Sequence, residues 1–152
     1  MLAALGIGFV TGLRCFTGVA AVAWALHLGW LPVSGRLSEF VASTPGLWLF
    51  TGLAVGEYFA DQWPKTPSRV SPGPLLGRIA MGLIAGACLW TAAGRGPLAG
   101  GLLCAVGAVA GAVTGYHLRG WLVQERKVKD LLVGLAEDAF CIGLAWWIVR
   151  PA

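Results

Sequence analysis

From Leu98 to Leu118 the chain carries no Asp, Glu, Lys or Arg. A helix crossing the hydrocarbon core of a bilayer needs about 20 predominantly apolar residues. Inside lipid every backbone N–H and C=O must be satisfied within the protein, which leaves a helix as the natural form of such a stretch. Four more apolar stretches accompany it: Leu2 to Leu28, interrupted by Gly12-Leu13-Arg14; Pro45 to about Trp63; Pro74 to about Ala93; and Leu131 to Val149. The expected fold is an all-α integral membrane protein. It comprises one transmembrane domain over residues 1–152, a bundle of about five transmembrane helices.

Composition supports this reading. Only 12% of residues are charged, against roughly 25% in average soluble domains. The net charge is +4, but the basic residues gather at segment ends and form no stripe interleaved with aromatics. Nucleic acid is therefore not an expected partner. Met1 to Val10 carries no charged side chain, so it lacks the basic start of a signal peptide and reads as part of a first spanning helix.

The connections are Pro32 to Thr44, the Pro-rich turn Pro64 to Gly73, the tight Gly94-Arg95-Gly96-Pro97, and the charged loop Arg119 to Asp130. With five spans the termini fall on opposite sides. The N-terminal side then collects Lys65, Arg69, Arg119, Arg126, Lys127 and Lys129, and the other side Arg36, Arg95 and Arg150. Basic loops stay in the cytoplasm, so the expected location is the cell membrane with the N-terminus cytoplasmic and the C-terminus opposite.

Small residues recur at helix-packing spacing. Gly8/Gly12, Gly52/Gly56 and Gly82/Gly86 are each G-x-x-x-G, and Gly107/Gly111/Gly115 is a double motif. This spacing lets helix backbones approach closely, within one subunit or in a homo-oligomer. Trp30, Trp63, Trp121, Trp146 and Trp147 lie near segment ends, as an interfacial aromatic belt requires. Cys15, Cys88, Cys104 and Cys141 sit inside apolar segments without metal-ligand spacing and read as small buried hydrophobes. Val10-Thr11-Gly12 is echoed by Val113-Thr114-Gly115, and Gly52-Leu53-Ala54 by Gly134-Leu135-Ala136. In a five-span chain these halves would run in opposite directions, a weak form of the inverted repeat common in transporters.

Charges interrupt the apolar spans at a few places. Arg14 lies near the middle of the first segment; Glu57 and Asp61 lie in the last turns of the second; Arg78 is one turn into the third; Glu137 and Asp138 are in the first half of the fifth. An arginine at the centre of a membrane helix costs about 2.5–3.5 kcal/mol, so it needs a counter-charge, water or backbone carbonyls. Arg14 is expected to face Glu57, with Glu137 second, and Arg78 to face Asp61 or Asp138. Glu137 and Asp138 point about 100° apart on a helix and are not expected to share one partner.

An intramembrane charge marks a functional pathway by default, yet buried ion pairs also serve as devices of helix register. Three functions stay open. The first is passage of a small solute or ion through a charged site made by Arg14, Glu57, Asp61, Arg78, Glu137 and Asp138. The second is a non-catalytic membrane structural or interaction protein with internal ion pairs. The third is a lipid-modifying membrane enzyme. Glu57, Asp61 and His117 hold carboxylate and imidazole ligands, but H-E-x-x-H, G-x-S-x-G and the P-loop are absent, and no metal or other cofactor is expected. Arg69, beside Thr66 and Ser68 in the Pro-rich turn, is a candidate for a lipid headgroup.

The ordered elements Gly12-Leu13-Arg14-x-Phe16-Thr17, Glu57-x-x-Ala60-Asp61-x-x-Pro64, Gly77-Arg78 and Glu137-Asp138 resemble domain of unknown function 4126. That family comprises small multi-pass membrane proteins, mostly bacterial. Gly18 stands where the family pattern has a proline. The resemblance implies one type of site shared by these polar positions and no particular activity; the membrane expected is an inner membrane.

Overall fold

A computed structural model describes residues 1–60, 68, 70–127 and 129–151. Every regular element among them is helical. They are α1 (Leu2–Leu13), α2 (Thr17–His27), α3 (Arg36–Ala42), α4 (Thr44–Ala60), α5 (Pro72–Ala92), α6 (Pro97–Gly120) and α7 (Asp130–Val149). A π-helical turn, Trp121–Glu125, continues α6. Three helices are long and apolar enough to cross a membrane: α5, α6 with its π turn, and α7.

The first apolar segment is not one spanning helix. It breaks at Arg14, whose backbone is extended (φ −133°, ψ 109°). On either side lie helices of 12 and 11 residues. At 1.5 Å per residue each is about 18 Å long or less, well short of a hydrocarbon core of about 30 Å. The two halves fold back on one another. A Cβ at Gly18 would overlap the Thr11 hydroxyl and lie 2.9 Å from the Ile7 carbonyl oxygen. Any side chain at position 18 would push the arms of this hairpin apart, which accounts for glycine there.

The direction of each arm follows from its neighbours. Near the start of α1, Gly6 faces Ile148 at the end of α7, while Arg14 reaches Asp138. The chain then returns: Thr17 meets Tyr58, Trp24 meets Thr51, His27 meets Ala42, and Trp30 stacks edge-on with Trp146 at 4.9 Å. Leu2, His27 and Val149 thus share one end of the bundle, called the upper end below. The start of α7 and the end of α6 meet at the lower end, where Arg119 pairs with Asp130. The start of α1 and the end of α7 are therefore both at the upper end, in place of the opposite ends expected from five spans.

The hairpin is the centre around which α4, α5, α6 and α7 are arranged. Ile7 and Val10 of α1 and Val19, Val22, Ala23 and Ala25 of α2 are inaccessible to solvent. The arm α1 lies in a glycine seam against α6. A Cβ at Gly8 would overlap the Cys104 carbonyl, and one at Gly12 the Ala108 carbonyl. From the other side, Cβ atoms at Gly107 and Gly111 would come within 3.1 Å of the Gly8 and Gly12 Cα atoms. Gly86 and Gly100 bring α5 and α6 together in the same manner. Three of the four small-residue motifs therefore pack within one chain. Gly52 and Gly56 are the exception: a Cβ there meets nothing within 4 Å.

Contacts in the α1–α6 seam advance together along both helices, so α1 and α6 run parallel. The echo between Val10-Thr11-Gly12 and Val113-Thr114-Gly115 consequently does not describe an inverted pair. The connection Pro32 to Thr44 contains α3, anchored where Ser38 Oγ hydrogen-bonds Thr91 Oγ1 at 3.2 Å. The four cysteines are buried, with no disulfide among them.

Candidate functional site at the hairpin tip

Reversing a chain inside a helical bundle leaves backbone groups without helical partners. The last carbonyls of α1 and the first N–H groups of α2 face this problem together. Side chains from the surrounding helices solve it. Glu57, near the end of α4, accepts hydrogen bonds from the backbone N–H of Cys15 at 2.7 Å and of Phe16 at 3.0 Å. A carboxylate here also complements the positive end of the α2 dipole. Arg78 of α5 donates from Nε to the Gly12 carbonyl at 3.0 Å, and from Nη1 to the Pro74 carbonyl of its own helix at 3.1 Å. Arg78 Nη2 lies 3.8 Å from Glu57 Oε1, so the two caps form an ion pair.

Arg14 stands at the tip itself, 1% exposed. Its Nη2 is 2.6 Å from Asp138 Oδ1 and 4.0 Å from Glu137 Oε2, and donates to the Gly134 carbonyl at 3.5 Å. Its guanidinium carbon lies 5.6 Å from the centre of the Tyr58 ring, in cation–π range. Tyr58 in turn is fixed by a 2.8 Å hydrogen bond between its hydroxyl and that of Thr17. Along α7, Asp138 is about 12 Å from the first residue and about 16 Å from the last, which puts the tip near half-depth.

The expected partners are exchanged. Arg14 pairs with Asp138 instead of Glu57, and Arg78 pairs with Glu57 instead of Asp138; the alternative partner Asp61 lies outside the described residues. The reason is the reversal at Arg14. A continuous helix would have carried Arg14 past α4 on one face. The hairpin instead turns exposed amides toward Glu57 and sends the Arg14 side chain toward α7. Glu137 and Asp138 both approach Arg14, because a guanidinium is broad enough to graze the second carboxylate at 4.0 Å. Five predicted site residues thus converge: Arg14, Glu57, Arg78, Glu137 and Asp138. Asp61 and Arg69 lie outside the described residues.

Below the tip is a small polar vestibule of about 60 Å³, lined by Arg14, Arg119, Asp130, Leu131, Gly134, Leu135 and Asp138. It is roomy enough for water, which needs about 10–15 Å³ and polar partners. Arg119 closes its lower side through a two-pronged bond to Asp130, 2.8 Å at both contacts. Asp130, Gly134 and Asp138 follow at i, i+4 and i+8, so one face of α7 carries an acidic ladder from the lower end to the tip. That spacing was present in the sequence, but Asp130 reads there as part of a surface loop. Tyr58 and Thr17 gave no comparable signal, since only the fold-back brings them together.

Among the described residues no group of three or more His, Cys, Asp and Glu is placed to hold a metal ion. His117 is exposed and packs edge-on against Tyr116. The comparisons with known proteins found no match for this chain among family models, curated proteins or solved structures.

Proposed function

We propose that this protein is a cell-membrane protein that passes a small solute or ion through the charged centre at its hairpin tip. The observation that carries this reading is the polar vestibule between Asp130 and the Arg14–Asp138 pair. Side chains alone would have sufficed to staple helices; the cavity beside them adds room for water next to the Arg14–Asp138 pair, with the Arg119–Asp130 pair at its lower side. Broken helices whose half-helix ends meet charged groups near the midplane are a recurrent design of transporters. In this reading α4 joins α5, α6 and α7 as a fourth span, and α1–α2 form a re-entrant hairpin from the upper side. Arg14, Glu57, Arg78, Glu137 and Asp138 form the pathway, with Asp61 as a further member.

Orientation follows from charge. By sequence, Lys65, Arg69, Arg119, Arg126, Lys127 and Lys129 belong to the lower connections, against Arg36, Arg95 and Arg150 above. The lower end is then cytoplasmic and both termini lie outside. Reporters that work only in the cytoplasm should be silent at either terminus; activity at one of them would reverse the assignment or split the termini. Arg69 keeps its place as a lipid-headgroup contact on the cytoplasmic side, homo-oligomers remain a proposal, and the resemblance to domain of unknown function 4126 fits an inner-membrane protein.

The decisive experiment is reconstitution into liposomes with a panel of small osmolytes and ions. Flux should exceed that of empty vesicles and fall in Asp138→Asn, with the variant still folded. The competing reading, internal staples only, is favoured by the hydrogen bonds that Glu57 accepts from the hairpin amides and that Arg78 donates to the Gly12 carbonyl. It predicts no flux for any solute and a loss of thermal stability alone.

A further inference from the structure

A second concavity opens between α6 and α7. Both helices are long and apolar enough to cross a membrane, and both pack on α1. Among the described residues they barely touch each other beyond the Arg119–Asp130 pair. The gap is a groove of about 430 Å³, with Phe9 and Leu13 of α1 as its floor. Leu118 stands on one wall, and Leu132 and Phe140 on the other. These three keep about half of their surface open: 52%, 55% and 53%. The two charged residues of the lining have partners within the chain. Arg119, at the lower rim, holds Asp130, and Glu137, at the inner end, approaches Arg14 at 4.0 Å. In a bilayer an empty cleft of this kind forfeits dispersion contacts on its open side, so it calls for an apolar filler.

From Leu132 to Phe140 the groove follows α7 for about 12 Å. One leaflet of a hydrocarbon core is about 15 Å deep. The groove thus matches an acyl chain of the lower leaflet, with its mouth at that leaflet's headgroups. The chain around the mouth is basic. From Arg119 to Asp130 it carries Arg119, Arg126, Lys127 and Lys129 against Glu125 and Asp130, four cations to two anions. Lys129 precedes Leu132 and Val133 by three and four positions, so it begins the stripe of α7 that lines the groove. Arg126 lies over the Trp121 ring at 4.7 Å, and a tryptophan at the end of a membrane helix marks the headgroup level. The groove at the upper end, about 350 Å³ between α2, α4 and α7, makes the contrast: no charged residue lines it.

We infer that the groove between α6 and α7 holds one anionic phospholipid of the lower leaflet. An acyl chain lies along Phe9, Leu118, Leu132 and Phe140, and the phosphate is held by Arg126 and Lys129. Basic clusters directly beside a membrane helix suit anionic headgroups; the groove adds a fixed place for the chain. This goes beyond passage through the hairpin tip. It needs only that α6 and α7 stand in a membrane, whichever end faces the cytoplasm, and it stands whether or not a solute crosses at Arg14.

Phosphatidylglycerol and phosphatidylcholine with identical chains are the probes. Each is titrated onto the purified, delipidated full chain in detergent, and bound lipid is counted by native mass spectrometry. Phosphatidylglycerol should bind as one saturable molecule, and phosphatidylcholine about tenfold or more weakly. Combining Arg126→Ala with Lys129→Ala, both at exposed positions, should bring phosphatidylglycerol down to the phosphatidylcholine level with the melting temperature unchanged. Ala136→Trp places bulk in the groove from an exposed position while keeping every basic residue, and should abolish binding. Leu132→Gln, on the groove wall near the mouth, takes its place if Ala136→Trp does not fold, and should weaken binding in the same direction. Equal binding of the two lipids would make the groove a slot for any acyl chain and overturn the inference. Phosphatidylglycerol binding that survives in the folded groove variants would reduce the site to a charged loop, and binding that survives loss of both cations would remove the headgroup contact; either overturns it as well. Liposome flux plays no part in these readouts, so failure here leaves the tip pathway standing, and the reverse holds too.

Discussion

The two sides of the α1–α2 hairpin are held by different physics. Along α1, contact is dry and made by backbone: Gly8 and Gly12 meet Gly107 and Gly111 of α6 at separations no side chain would permit. At the tip, contact is polar and made by long side chains: Arg14 with Asp138, Glu57 with the amides of Cys15 and Phe16, Arg78 with the Gly12 carbonyl. In lipid there is no hydrophobic drive between helices, so close packing has to supply association along the seam. Backbone groups at the turn cannot be solvated by lipid, so charge has to satisfy them there. The difference teaches that the glycines set how closely the hairpin can sit, and the charges make it possible for the chain to turn at all.

This contrast can be broken most severely at the tip. Arg14→Ala removes the fully buried guanidinium that Asp138 and Glu137 approach, and removal of one partner of a buried pair typically costs about 3–5 kcal/mol. The partner is identified by a double-mutant cycle on thermal or denaturant unfolding in detergent. Arg14→Ala with Asp138→Ala should show a coupling of about 0.5–3 kcal/mol, and Arg14→Ala with Glu57→Ala much less. A stronger coupling to Glu57 would mean that Arg14 turns toward α4 and that the arrangement of caps is wrong.

The seam is the next target. Gly111→Leu forces a branched side chain against the Phe9 carbonyl and the Gly12 Cα. Overpacking of this sort costs about 1–3 kcal/mol, and occasionally more. Gly52→Leu has the same chemistry in open space and should leave melting unchanged. Equal effects at the two positions would remove the distinction between a packing motif and a coincidental one.

The smallest effect belongs to the rim. The Arg119–Asp130 pair is two-pronged with both contacts at 2.8 Å, yet the Asp130 side chain is 56% exposed. Solvent screens such a pair to about 0–1 kcal/mol. Arg119→Ala should therefore shift the melting temperature slightly, and the shift should shrink further in high salt. A loss as large as that of Arg14→Ala would show that burial, not hydrogen-bond geometry, has been misjudged as the source of the difference.

Some of this was legible before the structure. Long charge-free stretches demanded helices, because lipid leaves the backbone no other way to pair its polar groups. Spacing singled out Gly8, Gly12, Gly107 and Gly111 as packing residues, since a four-residue repeat lies along one face. The cost of a buried charge singled out Arg14, Glu57, Asp61, Arg78, Glu137 and Asp138 as one centre, and all of these but Asp61, which lies outside the described residues, gather at the tip. Each inference rests on a local property, so it survives ignorance of the fold.

Pairing and direction did not belong to that class. Whether Arg14 bends a helix or ends it depends on what its backbone meets, and Glu57 and Arg78 come from segments more than 40 residues away. Once the chain reverses at Arg14, the termini move to one end, α1 runs parallel to α6, and Arg14 turns to Asp138. The same 57% apolar composition fits a straight first helix equally well. The amino-acid sequence by itself determined helices, three of the four glycine faces and the candidates for a charged centre, because periodicity and desolvation act within a segment. Only the tertiary structure decided the hairpin, the ion-pair partners and the vestibule, because these depend on which distant carbonyl, amide or carboxylate occupies the few ångströms around the turn.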